Sequence, residues 1–184
     1  KASRKVKVLL NGDGSDEFFA GYEWYKIMKL KRFFSPVLKK FSSIININEP
    51  MFKKAKEFFE SEERESYLSL VSVFGNYERK EFLKFNKTDS IFKGIASFYK
   101  KNLSPLNRML NMDINTYLPD NMLVKFDKLT MAKSIEGRVP YCDYRIAEFS
   151  ASLPCNYKLN GFTDKFILRK AMQGILPKEI LNKK

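Results

Sequence analysis

The residues best suited to chemistry lie near the start of the chain, where acids are interleaved with glycines. Asp13 lies between two glycines, and Asp16 and Glu17 follow after one serine. Glycine lets the main chain approach a ligand closely, and Ser15 is a suitable cap for a helix that begins here. A helix N-terminus suits phosphate, and a carboxylate beside it can hold a divalent cation that bridges to phosphate. The segment predicts a nucleotide site, although taken alone it fits an ordinary strand-to-helix turn with capping acids better.

Charged residues with a possible functional role also lie in two later segments of the chain. Lys165 falls in the first turn of a predicted helix after Thr163, where a cation opposes the positive end of the helix dipole. A bound anion would resolve that conflict, and a lysine that points into solvent is the alternative. Glu136 and Arg138 precede Pro140, which favours extended backbone, so we expect both side chains to project from the same side.

Composition excludes several classes of function. The 184 residues are 44% hydrophobic and contain no histidine, so a core is expected and imidazole bases and Ser-His-Asp or Cys-His catalysis are excluded. Two cysteines and the lack of a long apolar run predict a reducing, cytoplasmic setting without a membrane segment. The net charge of +13 is scattered along the chain, which favours solvated lysines over a nucleic-acid groove. A basic helical binding module without catalysis stays the alternative.

The elements that must position these residues are predicted to be mostly helical. Val6, Val8, Leu9 and Leu10 predict one short buried strand, and apolar spacing predicts a continuous helix over 15–34 that ends at Ser35-Pro36. Two helices are expected between 106 and 134, broken at 118–121, and Asp143 is the expected cap of a helix near 144–153. Other helices are predicted near 36–45, 51–60, 63–74, 91–101 and 164–173.

One strand cannot satisfy its own backbone hydrogen bonds, and the rest of the sequence offers no second convincing strand. We therefore expect a predominantly α-helical fragment with one short strand, the C-terminal section of an α/β domain whose other strands precede Lys1. Dimerisation through the exposed strand edge is the alternative.

Three spaced motifs resemble the glutamine-dependent asparagine synthetases, in the C-terminal part of their ATP-using synthetase domain. Residues 10–17 (LNGDGSDE) and the Ala-Gly-Tyr at 20–22 are similar to the family's Ser-Gly-(Glu/Asp)-Gly-x-Asp-Glu loop and Gly-Gly-Tyr. Residues 118–143 resemble its segment ending in Glu-x-Arg-x-Pro-(Phe/Tyr)-x-Asp, and residues 165–181 resemble its Lys-x-x-Leu-Arg helix and Leu-Pro-x-x-Ile-Leu tail. Asn11 replaces the usual serine, and Asp13 stands where these enzymes often carry glutamate. The glutaminase domain and the Ser-Gly-Gly-x-Asp-Ser pyrophosphate loop are absent from residues 1–184, which predicts a fragment that is inactive alone.

The resemblance implies an adenine-nucleotide-hydrolase-like (ATP pyrophosphatase) fold and a reaction in two steps. Aspartate attacks the α-phosphate of ATP to give β-aspartyl-AMP, and ammonia from glutamine then displaces AMP. The implied roles are ATP contact for Asn11 and Gly12, acid or base for Asp13, Mg²⁺ ligand for Asp16, neutralisation of phosphate charge for Lys165, and support of the acyl-acceptor side for Glu136 and Arg138. Related enzymes that adenylate another carboxylate, such as β-lactam synthetases and peptide-cyclising or sugar-amidating enzymes, stay as alternatives.

Overall fold

The structure is a computed structural model that describes residues 2–41, 58–72, 94–95 and 97–181, with side chains described to residue 34 in the first of these ranges. The chain divides into two compact units. One comprises residues 1–22 and 100–184, and the other comprises residues 23–99. The described helices are α1 (Ser15–Phe19), α2 (Glu23–Phe41), α3 (Glu63–Val71), α4 (Pro105–Asn115), α5 (Val124–Met131), α6 (Tyr144–Ser152), α7 (Cys155–Lys158), α8 (Phe166–Ala171) and α9 (Lys178–Leu181). Short 3₁₀ turns span Ala2–Arg4 and Pro140–Cys142, and a π-helical segment spans Leu118–Leu123.

A two-stranded parallel sheet corrects the prediction of a single strand. Strand β1 (Val8–Leu10) pairs with β2 (Glu136–Arg138), so that Val8 lies opposite Glu136 and Leu10 opposite Arg138. Strand β2 cannot be predicted from its sequence, because Glu-Gly-Arg has neither apolar alternation nor β-branched residues. The expectation that β1 is buried is also wrong, since Val8 is 42% exposed and Leu10 is 69% exposed.

The helix predicted over 15–34 is two helices. Helix α1 ends at Phe19 because Ala20 adopts a left-handed conformation with φ 58°, and its N–H donates to the carbonyl of Asp16. Helix α2 begins at Glu23 and continues through Pro36 to Phe41, so the predicted stop at Ser35-Pro36 is wrong. The apolar spacing continues across the break, and therefore the pattern alone does not reveal it.

Most other helix predictions are confirmed where residues are described. The predictions near 63–74, 144–153 and 164–173 correspond to α3, α6 and α8. The predicted break at 118–121 is wrong, since those residues lie in the π-helical segment and α4 ends earlier, at Asn115. Three other predictions, near 36–45, 51–60 and 91–101, include residues 42–57, 91–93 and 96, which lie outside the described residues. Residues 97–101 are described and are not helical, so that part of the third prediction is wrong.

Helix α1, which carries Asp16 and Glu17, packs in the core of the first unit. Phe18, Phe19 and Leu118 are buried there, packed against partly buried Ile114, Met122, Leu123, Tyr141, Cys142, Ile146, Ala147, Leu153, Ile167 and Leu168. The Ser150 hydroxyl, itself buried, donates to the carbonyl of Phe18 at 2.5 Å. Helix α6 therefore fixes both the packing and the backbone of α1.

In the second unit, α2 packs against α3. Lys31 is buried in this unit, and its ammonium donates to the carbonyls of Phe58 and Ser61 and to the Ser66 hydroxyl. Because each of the three donors of this buried ammonium group has an acceptor, we interpret Lys31 as a structural residue. Among the described residues of the whole chain, no helix combines the length and the apolar character that spanning a bilayer requires.

Candidate functional site

The candidate site begins where β1 leads into a glycine turn. The N–H of Asn11 donates to the carbonyl of Arg138 at 2.8 Å, which ties the start of the turn to β2. The side-chain amide of Asn11 then donates to the Asp13 carboxylate at 2.6 Å. The structure thus brings two of the predicted site residues into direct contact within the turn.

Gly14 is required at the entry to α1. It is the residue that precedes the helix and has φ 91°, a conformation that favours glycine. A Cβ at this position would also lie 2.8 Å from the Sγ of Cys142. Gly14 occupies the N-cap position and Ser15 is the first residue of α1, so the prediction that Ser15 caps the helix is wrong. Its side chain is instead available for a contact from elsewhere in the fold.

That contact comes from Lys165, near the other end of the chain. The Lys165 ammonium donates to the Ser15 hydroxyl at 2.9 Å and pairs with the Oδ1 of Asp16 at 2.9 Å. The side chains of Lys165 and Asp16 are 26% and 32% exposed, so both reach solvent. The tertiary fold therefore places an acid and an ammonium group side by side, partly accessible to a ligand.

The backbone of Lys165 holds it in this position. Lys165 does not lie in the first turn of its helix as predicted but immediately before α8, with φ 45° and ψ 36°. Its N–H donates to the carbonyl of Phe19 at 3.2 Å. Helix α1 therefore contacts both the main chain and the ammonium group of Lys165. A left-handed conformation is costly for a side chain such as lysine, and such outliers cluster at functional sites.

Gly21 makes room for the ion pair. A Cβ built on Gly21 would overlap the Oδ1 of Asp16 and the Cε of Lys165, and would lie 2.8 Å from the Asp16 carboxyl carbon. The N–H of Gly21 donates to the carbonyl of Asp16 at 2.9 Å. The main chain between α1 and α2 therefore passes close to the charged pair, and only glycine fits at position 21.

Glu17, the residue after Asp16, is buried in the core and is not exposed beside Asp16. It is 1% exposed, and its Oε1 accepts a hydrogen bond of 2.7 Å from the Tyr22 hydroxyl. Among the described residues its Oε2 has no hydrogen-bond partner. Burial raises the pKa of Glu17 above its ordinary value, opposed by the Tyr22 hydrogen bond. The sequence signal for this placement is the pair of phenylalanines directly after the acid and the tyrosine five residues after it.

The thiol of Cys142 lies close to the same acids. Its Sγ approaches the carbonyl of Asp13 at 4.0 Å. Burial raises the pKa of Cys142, and the charges of Glu17 and Asp13 raise it further. The thiol form of Cys142 is therefore favoured over the thiolate.

Glu136 and Arg138 form a pair on the exposed side of β2. The Nε of Arg138 lies 2.7 Å from the Oε1 of Glu136, and the two side chains are 64% and 58% exposed. They project from the same side, as expected for positions two apart in a strand. Their direct link to the glycine turn is through the main chain, where the Arg138 carbonyl accepts from Asn11.

Metal-ligating side chains are sparse. Within the part of the chain that the structure describes, no group of three or more histidine, cysteine, aspartate or glutamate residues is arranged to hold a metal ion. Asp16 is a partly exposed carboxylate with one oxygen on Lys165. Mg²⁺ commonly uses one or two protein carboxylates together with substrate phosphates and water, so Asp16 fits as one such ligand.

Comparisons with known proteins agree on one family. The family model described as asparagine synthase matches residues 1–184. The chain is 31% identical over 193 residues to asparagine synthetase [glutamine-hydrolyzing] 1 of Bacillus subtilis. That alignment covers 100% of this chain and 30% of the relative. The chain is 30% identical over 192 residues to a putative asparagine synthetase [glutamine-hydrolyzing] of Mycobacterium tuberculosis, with 100% and 29% covered.

A more distant relative has a different name. Amidase chyE of Penicillium rubens is 23% identical over 209 residues, which cover 96% of this chain and 31% of the amidase. The chain thus spans about a third of the length of these relatives or less. No solved structure matches it significantly.

Proposed function

Because this chain belongs to the asparagine synthase family, we propose that it is the C-terminal part of the synthetase domain of a glutamine-hydrolysing asparagine synthetase. The observation that carries the proposal is the pair of Asp16 and Lys165 beside a glycine turn, within a chain whose whole length matches the family. The proposed fold of the complete domain is adenine-nucleotide-hydrolase-like, with β1 and β2 as part of a larger parallel sheet. The remaining strands and the pyrophosphate loop would come from the preceding part of the same polypeptide.

In the first step, a β-carboxylate oxygen of aspartate attacks the α-phosphorus of ATP. The bond between that phosphorus and the oxygen bridging to the β-phosphate breaks, and pyrophosphate leaves. Asn11 and Gly12 are the proposed nucleotide contacts in the turn, where Gly12 is exposed and a Cβ would meet no atom of the described residues within 4 Å. Lys165 shifts from Asp16 toward the phosphates and neutralises the charge that develops on them.

Asp16 would be a ligand for Mg²⁺, which when bound with ATP screens the charge of the phosphates. The Asp16–Lys165 pair holds both side chains in place before the nucleotide binds, because each is the other's counter-ion at 2.9 Å. Because this pair already orders both side chains, each would lose little side-chain freedom when Mg·ATP binds.

In the second step, ammonia attacks the acyl carbon of β-aspartyl-AMP, and the bond from that carbon to the phosphate oxygen breaks to release AMP. The nitrogen must lose a proton, and Asp13 is the proposed acceptor. The hydrogen bond from Asn11 orients the Asp13 carboxylate. Glu136 and Arg138 would support the acyl-acceptor side through the end of β2.

The test uses the complete open reading frame that encodes this chain. We expect it to form asparagine from aspartate, glutamine and Mg·ATP, and to catalyse aspartate-dependent exchange of pyrophosphate into ATP. Asp16→Ala and Lys165→Ala should each lower that exchange by about 100- to 1,000-fold while glutamine hydrolysis persists. Wild-type rates of pyrophosphate exchange in either variant would contradict the role of that residue.

A related amidotransferase that adenylates a different carboxylate is the second candidate, favoured by the similarity to a fungal amidase. The adenylating residues would be unchanged and the acceptor pocket would differ. Pyrophosphate exchange with a panel of carboxylates separates the two candidates. Exchange that depends on aspartate supports the first, and exchange that ignores aspartate but responds to another acid supports the second.

A further inference from the structure

Arg169 connects three separate parts of the chain around Lys165. It lies on α8, one turn after Lys165. Its Nε donates to the carbonyl and to the Oδ1 of Asp164, both at 3.0 Å, and its Nη2 donates to the same Oδ1 at 2.6 Å. Its Nη1 donates to the carbonyl of Leu181, in α9, at 2.5 Å. One guanidinium therefore joins the residue before Lys165 to the final described helix.

These bonds act where the backbone is strained. Asp164 immediately precedes Lys165, whose φ of 45° is unfavourable for a residue with a side chain. On the other side of Lys165, the N–H of Arg169 donates to the Lys165 carbonyl at 2.9 Å. Lys165 is thus fixed through both neighbouring peptide units by contacts of the same arginine.

Resting on the proposed role of Lys165, we infer that Arg169 is a positioning residue that holds the Lys165 ammonium at Ser15 and Asp16. Without the contacts between Arg169 and Asp164, Lys165 can relax from its left-handed conformation. Its side chain then no longer points toward α1. Helix α9 contributes to the site through the same guanidinium, although α9 itself supplies no side chain to the ion pair.

The geometry requires arginine. The three acceptors are a carboxylate and two carbonyls, and a planar fork with donors on separate nitrogens can reach all of them at once. A lysine places all its donors on one nitrogen and keeps the charge without the fork. Arg169→Lys therefore tests position rather than charge, and Asp164→Asn tests the same clamp from its other side.

The experiment is done on the full-length protein and has two readouts. Relative to wild type, Arg169→Lys and Asp164→Asn should each lower kcat for pyrophosphate exchange by about 10- to 100-fold, with a smaller change in KM for ATP. Mass spectrometry after limited amine acetylation should show faster modification of Lys165 in both variants. Lys158 is the internal reference, since it is buried at 3% exposure and hydrogen-bonded to Asn107, and general unfolding would expose it as well.

Arg145→Lys is the matched control. Arg145 makes a similar fork to Asp143 on α6, with its Nε at 2.9 Å from Oδ1 and its Nη2 at 2.8 Å from Oδ2, at an exposed position outside the proposed site. If Arg169→Lys and Asp164→Asn match this control in both readouts, the inference is wrong. If Lys165→Ala exchanges pyrophosphate at the wild-type rate, the proposed function of Lys165 fails instead, while the acetylation rates still decide whether Arg169 positions it.

Discussion

The Lys165 ammonium lies 2.9 Å from the Oδ1 of Asp16, although the two residues belong to opposite ends of the chain. Neither side chain is fully buried, and each is held by further contacts, Lys165 through the Ser15 hydroxyl and Asp16 through its place in the first turn of α1. Such a pair contributes little to stability when it is partly exposed. It does hold a cation and an acid side by side at a partly exposed position.

Gly21→Ala should separate this pair. A new Cβ would overlap both Asp16 and Lys165, so we expect a loss of about 1–3 kcal/mol in the free energy of unfolding. Gly12→Ala, measured without nucleotide, is the control, because a Cβ there meets no atom of the described residues within 4 Å, and its effect should stay within about 0.5 kcal/mol. Urea denaturation measures both variants. Equal stability of the two would show that the ion pair moves aside at no cost.

Ser150→Ala should destabilise the first unit. Its buried hydroxyl donates to the Phe18 carbonyl, and removing the donor leaves a buried acceptor unpaired, at a cost of about 1–3 kcal/mol. Ser152→Ala is a matched control on the same helix, since its exposed hydroxyl donates only locally to the Phe149 carbonyl. Thermal denaturation of the two variants should separate them, and coincident transitions would exclude a role for the bond to α1.

Glu17→Gln should become relatively more stable than wild type as the pH rises. Burial raises the pKa of Glu17 above 4.5, so its contribution to stability is fully present below that value and is lost as the pH rises through the folded-state pKa. Glutamine carries no charge to desolvate, and the difference between variant and wild type should shift toward the variant as the pH rises above 4.5. Denaturation curves across this range measure the shift.

Asp143→Asn provides the control for that titration. Hydrogen bonds from Arg145 lower the pKa of Asp143 from 3.8 to about 2. Both values lie below the range tested, so the stability difference for this variant should stay constant there. A pH-independent difference for Glu17→Gln as well would mean that Glu17 has an ordinary pKa in the folded protein.

Residues 1–184 alone should make no asparagine. The chain spans 30% of the length of its Bacillus subtilis relative, and the proposed first step needs a pyrophosphate loop from outside it. We expect the isolated chain, given aspartate, ammonia and Mg·ATP, to release no pyrophosphate above background. Measurable asparagine synthesis by the isolated chain would overturn the division of the site between two parts of the polypeptide.

Local patterns predicted much of the secondary structure. The spacing of apolar residues predicted α3, α6 and α8, and Asp143 was correctly expected to cap α6, where its carboxylate accepts from the N–H of Arg145. Strand β2 was missed because a three-residue strand of Glu, Gly and Arg is defined by its partner rather than by its own pattern. The split at Ala20 was missed because a left-handed alanine leaves no mark in apolar spacing.

The residue types alone define the chemical groups: glycines where the turn needs them, acids at 13, 16 and 17, and a lysine near the start of a helix. Their neighbours in the chain, with the resemblance to one family, were enough to propose an ATP site. Long-range packing, which no local pattern contains, makes Asp16 face Lys165 while Glu17 is buried against Tyr22. Adjacent residues on a helix point in different directions, and the packing of α1 in the core determines which of them meets the distant lysine.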